Sequence, residues 1–145
     1  MIAEQYETQK VMAASPMELI VMLYDHSIRS LSNALEAMEI QEEPERVQAL
    51  NTHLLRAQDF IAELACSLDV ERGGEMAWQL NRLYEFMLHQ LSAANNEQSR
   101  ESIESVHQLL TELRDGWKQA LSQVPKNEQA SEVPVERTGS FSFSS

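Results

Sequence analysis

Glycine and proline are scarce in this chain of 145 residues, four of each, and Phe, Trp and Tyr together make only 6%. Sheets draw on aromatic and β-branched residues joined by Gly- and Pro-rich turns, so this composition turns away from β architecture and toward helices. Cysteine is nearly absent as well. The single Cys66 excludes an intramolecular disulfide and fits a reducing compartment. No apolar run approaches the ~18 residues that a bilayer span needs. The first residues, Met1 to Glu7, lack the charged start and apolar middle of a signal peptide. A cytoplasmic, soluble protein without membrane insertion is therefore expected. Basic residues are few, 11 against 23 acids, for a net charge of −12. Nucleic acid and anionic membranes demand clustered Lys and Arg, which this chain does not offer.

What is present is a repeated heptad stripe. Ser15-Pro16-Met17-Glu18 reads as a capping box with proline at the first helical position. From there Met17, Val21, Tyr24, Ile28, Leu31, Leu35 and Met38 recur in alternating steps of four and three, until Gln41-Glu42-Glu43-Pro44 ends the segment. The second segment carries Val47, Leu50, Leu54, Ala57, Ile61, Leu64 and Leu68, and Asp69 to Gly74 is expected to break it, the glycines opening a turn. The third carries Ala77, Leu80, Tyr84, Met87, Leu91 and Ala94. The fourth carries Ile103, Val106, Leu110, Leu113, Trp117, Ala120 and Val124, closed by Pro125.

Segments of about 22 to 24 residues joined by about five make sequential helices antiparallel. The fold expected is all-α: an antiparallel up-down-up-down four-helix bundle over residues 15–124. Residues 1–14 form an N-terminal cap segment, and residues 125–145, serine-rich and poor in apolar side chains, a disordered tail.

Chemistry finds little footing. Di-metal bundles need inward Glu-x-x-His pairs plus further glutamates. Glu104 and His107 are the one match, and they lie beside the apolar stripe, with no second copy. Neither a metal nor a cofactor is expected, and no serine or cysteine has a nucleophile's setting. Cys66 reads as a small packing residue. A helical regulatory or histidine phosphotransfer module is the alternative, resting on His53 with Arg56 nearby, although Ala57 stands where such modules carry glycine.

Apolar residues exceed what a bundle core requires, about three positions in seven. Residues 17–24 are apolar nearly all round, and Leu55, Phe60, Ala62, Ala65, Trp78, Leu83, Phe86 and Leu88 fall outside the stripes. Such a surplus either widens the core or forms grooves for an amphipathic partner.

The chain resembles the flagellar secretion chaperone family FliS over about residues 6–121. The resemblance rests on Tyr6 with Val11, Ala14-Ser15-Pro16, Leu19-Ile20 and Met22-Leu23-Tyr24-Asp25. It continues through Ala57-Gln58-Asp59 with Ile61, Glu63-Leu64, Ser67-Leu68-Asp69, Gly73-Gly74-Glu75, Leu83-Tyr84, Ala94-Asn95, Leu109-Leu110, Leu113-Arg114 and Trp117. It implies a non-enzymatic chaperone that binds the C-terminal segment of newly made flagellin, blocks premature filament assembly and delivers the cargo to a flagellar export-gate component. It also implies that the N-terminal segment, here with Ile2, Tyr6, Val11 and Met12, covers an apolar groove and leaves when flagellin arrives. The groove residues expected are Tyr6, Val11, Leu19, Ile20, Leu23, Tyr24, Phe60, Ile61, Leu83, Tyr84 and Met87. Departures from the family pattern are Ala13 for a usual threonine, His26 for a common glycine, Phe60 for a usual isoleucine, and a longer tail. The sequence leaves the free state open between monomer and homodimer.

Overall fold

A computed structural model describes residues 15–123, in which four helices follow one another: α1 Pro16–Ala37, α2 Glu43–Cys66, α3 Val70–Glu97 and α4 Arg100–Ser122. Each start has a local cause. Ser15 Oγ accepts from the Glu18 N–H at 3.2 Å while the Glu18 carboxylate accepts from the Ser15 N–H at 2.8 Å, completing the capping box that opens α1. Asp69 caps α3 by accepting from the Arg72 N–H, and Ser99 caps α4 by accepting from the Ser102 N–H. Pro44, read from sequence as part of a stop, lies in the first turn of α2 instead, where its missing N–H costs nothing.

The expected break at Gly73-Gly74 takes a different form. Val70 already begins α3, and only Gly74, at φ 68° and ψ −151°, leaves helical geometry inside it. Capping by Asp69 winds one extra turn before the kink, and the connection from α2 shrinks to residues 67–69. Lengths are accordingly 22, 24, 28 and 23 residues.

The bundle closes in sequence order, with α1 on α2, α2 on α3, α3 on α4 and α4 back on α1. Polar rungs display the antiparallel register. Between α1 and α4 they are Asp25–Arg114 at 3.1 Å and Ser32–His107 at 3.0 Å, and Glu39, just past the end of α1, adds Glu39–Arg100 at 2.6 Å, each rung seven residues up the first segment and seven down α4. Between α2 and α3 the pairs Asn51–Asn95 and Gln58–Leu88 repeat the pattern. Partial desolvation works against the Arg114 charge, yet hydrogen bonds and attraction from Asp25 and Asp115 outweigh it and raise its pKa.

Most stripe residues fill the core, among them Leu31, Leu50, Leu54, Leu91, Ile103 and Leu110. Ser27, Ser30, Ala34 and Ala37 are buried as well. Of the helix pairs, α1 and α2 pack most extensively. Two positions correct the sequence reading. Val47 is 42% exposed, because the first turns of α2 overhang a hollow shared with Asn95, Asn96 and Gln98. Cys66 is exposed, because it falls on the outer side of the last turn of α2 and not in the packing. Among the described residues, no helix is long and apolar enough to cross a membrane.

Candidate binding surface

The described members of the expected groove fall into two sets. Ile20, Tyr24, Ile61, Tyr84 and Met87 are buried in the core. Leu19, Leu23, Phe60 and Leu83 are half-buried, so they offer edges to the solvent. Tyr6 and Val11 lie outside the described residues. The buried set is closed to an incoming partner, and only the half-buried set reaches the surface.

Two buried tyrosines form the polar centre of this region. The Tyr24 hydroxyl is 2.5 Å from that of Tyr84, and the Trp117 indole N–H donates to Tyr24 at 3.2 Å. Burial raises the Tyr24 pKa to about 12, with the hydrogen bonds to Tyr84 and Trp117 working the other way. Burial also raises Tyr84 well above its ordinary value, reinforced by the charge Tyr24 would carry. Both hydroxyls stay protonated under any physiological condition, which suits a structural tie between helices.

His26 and Phe60 meet across α1 and α2, stacked at 5.2 Å between ring centres and 23° between planes. Both positions were expected, from the resemblance, to be departures from the family pattern, and the two rings pack on each other. A ring at Phe60 is supported by a ring where glycine would leave a gap.

The largest exposed apolar side chains lie elsewhere. Leu55 on α2 is 48% exposed, while α3 presents Met76 at 39%, Trp78 at 47% and Phe86 at 50%. The Arg82 guanidinium sits 4.9 Å over the Trp78 ring, and both border a shallow hollow completed by Glu75, Gln79 and Leu83. The expected groove omits Leu55, Met76, Trp78 and Phe86, although the surplus of apolar residues outside the heptad stripes had marked three of them. Exposed aromatic surface on a helical bundle is the chemistry of a protein-binding face.

The residues considered for catalysis are engaged in structure. Glu104 pairs with Arg100 at 3.6 Å and His107 with Ser32. Among the described residues, no three His, Cys, Asp or Glu side chains are grouped to hold a metal ion. His53 borders a small α1/α2 hollow with Asn33, Glu36 and Ala49, and its Nδ1 is closed off from solvent without a hydrogen-bond partner.

Residues 2–124 match the family model described as flagellar protein FliS. The flagellar secretion chaperone FliSB of Pseudomonas aeruginosa is 35% identical over 118 residues, covering 79% of this chain and 90% of the relative. The flagellar secretion chaperone FliS of Salmonella typhimurium is 36% identical over 110 residues, 75% of this chain and 78% of the relative. That of Bacillus subtilis is 31% identical over 126 residues, 87% and 90% of the two chains.

Proposed function

The chain belongs to the FliS family of flagellar secretion chaperones, and on that premise we propose that it binds the C-terminal segment of newly made flagellin in the cytoplasm. Held there, the segment is kept from polymerising until the complex reaches the flagellar export gate. The protein acts by binding, not by catalysis.

The observation that carries this reading is the exposed apolar surface spread over two helices, Leu55 on α2 with Met76, Trp78 and Phe86 on α3. Half-buried Leu19, Leu23, Phe60 and Leu83 extend it into the grooves between helices. Magnitudes favour such a spread. Ordering ~30 residues of a disordered segment costs on the order of 30–60 kcal/mol of backbone entropy. Each large apolar side chain buried returns only ~1.5–3 kcal/mol. Many anchors and the segment's own helical hydrogen bonds must act together, which a single deep pocket does not permit. Tyr6 and Val11, in the N-terminal segment, are the further contacts proposed for the same surface.

Isothermal titration of the full chain with a flagellin C-terminal segment tests this. A 1:1 complex with a large negative heat-capacity change, and an affinity nearly indifferent to salt, is expected. No binding, or binding that collapses between low and high salt, overturns the proposal.

A further inference from the structure

The outer seam between α1 and α2 holds two cations that the fold leaves unpaired. Two contacts fix the register of that seam: His26 stacks on Phe60, and Asn33 shares a hollow with His53. The second rung lies seven residues up α1 and seven down α2 from the first. Arg29 is three residues past His26 and four short of Asn33; Arg56 is three past His53 and four short of Phe60. Those spacings put each arginine on the same side of its helix as the two seam residues around it. Along the bundle axis the two stand about one residue apart, ~1.5 Å. Both are exposed, and among the described residues neither makes an ion pair.

The nearby carboxylates do not cancel the pair. Asp25 is held by Arg114, across α1 and α4. Glu36 and Glu63 are seven residues from Arg29 and Arg56, or ~10 Å along their helices, beyond the ~8 Å screening length of physiological salt. Asp59, three residues from Arg56, forms no ion pair with it. A chain with 23 acids and only 11 bases thus keeps two guanidiniums level with each other. On one side of them lies the half-buried His26–Phe60 stack. On the other is a hollow of about 380 Å³ edged by Asn33, Glu36, Ala49 and His53. His53 Nδ1 is closed off there without a partner, which leaves Nε2 as the nitrogen that meets a ligand.

A guanidinium forks onto a carboxylate through two parallel N–H donors. Two guanidiniums at one level, beside an aromatic stack, fit acidic side chains one helical turn apart with apolar neighbours that cover Phe60. We infer that the α1/α2 seam is a second docking surface, for an acidic segment of a partner protein, with Arg29 and Arg56 holding its carboxylates. Nucleic acid and anionic membranes are not its ligands, because Glu36, Asp59 and Glu63 surround the pair and repel closely spaced phosphates. Phe60 apart, none of these residues belongs to the surface proposed for flagellin, and the inference holds whatever the cargo. Association here is weakened by salt, whereas cargo binding is apolar.

NMR titration of the full chain tests this with two probes. One is a short capped peptide bearing two glutamates one helical turn apart among alanines and leucines; the other is its twin with glutamines in their place. The glutamate peptide should give saturable shifts at the His26 and His53 rings and the amides around them, weakened severalfold at high salt. Arg29→Gln and Arg56→Gln should each lower that affinity about ten-fold, the scale of one charge-assisted contact. Arg82→Gln, on α3, should leave it unchanged. Shifts that do not saturate at millimolar peptide overturn the inference, as do equal binding of the glutamine twin and arginine variants that bind like the parent. Tighter binding to phosphatidylglycerol vesicles or to a DNA duplex overturns it too, since the pair then reads a polyanion.

Discussion

The Tyr24 hydroxyl lies 2.5 Å from the Tyr84 hydroxyl, joining α1 to α3 through the centre of the bundle, sixty residues apart in sequence. With Tyr24 held to about 12 by burial, against an ordinary value of 10, the unfolded chain releases this proton two units before the folded one. Stability from the group is complete below pH 10 and is lost as pH rises toward 12, because only the unfolded state gains by ionising in that window. The loss amounts to about 2–3 kcal/mol for Tyr24. Urea melts should therefore be flat from pH 7 to about 9 and fall between pH 10 and 12. Tyr24→Phe should flatten that fall, and an unchanged alkaline slope counts against the buried pair.

The same pair predicts a non-additive cycle. Tyr24→Phe leaves the Tyr84 hydroxyl buried without its partner, and Tyr84→Phe leaves Tyr24 with Trp117 alone. An orphaned buried hydroxyl costs about 1–3 kcal/mol. The double variant leaves no tyrosine stranded, so its loss should be clearly smaller than the sum of the single losses, by roughly 1 kcal/mol or more. Strict additivity in denaturant titrations shows that the hydroxyls are not coupled.

Adjacent leucines on α2 separate core from surface. Leu54 is fully buried and Leu55 is 48% exposed. Leu54→Ala should cost about 2–5 kcal/mol, as a large-to-small change in a packed core. Leu55→Ala should stay within about 0.5 kcal/mol of the parent in stability, while weakening the flagellin segment's binding. Thermal melts and titrations of both variants check the pair; the reverse ranking of stabilities refutes the packing described.

How much of this was legible beforehand depended on whether periodicity or solvent access decided the outcome. Leu50, Leu54, Leu91 and Leu110 follow the heptad, and the heptad alone places them in the core. Val47 follows it too and is exposed, because the stripe does not record where the neighbouring helices stop. Tyr24 and Tyr84 stand on the heptad stripes and were also expected to line the groove, and the stripe alone says nothing of where their hydroxyls go. Here each hydroxyl finds the other, a pairing of distant positions that no local pattern encodes. Trp78 and Phe86 stood out as apolar residues off the stripe, but widening the core and exposing a binding face look alike in sequence. The Gly73-Gly74 break was visible as a break, whereas the extra turn before it came from the Asp69 cap.

Two glycines should respond in opposite directions to the same substitution. Gly74 has φ 68° and ψ −151°, a conformation that an L side chain adopts only under strain, and it sets the kink inside α3. Gly74→Ala should cost about 1–3 kcal/mol, the scale of holding a residue with a Cβ in that region. Gly116 lies within α4, on its exposed side, and a Cβ built there meets nothing within 4 Å. Its present effect is to loosen the unfolded chain and weaken the helix, so Gly116→Ala should stabilise the bundle by about 0.5–1 kcal/mol. Chemical denaturation of the two variants beside the parent measures both. A destabilised Gly116→Ala shows that the space beside it is occupied, and a neutral Gly74→Ala shows that the kink relaxes into regular helix.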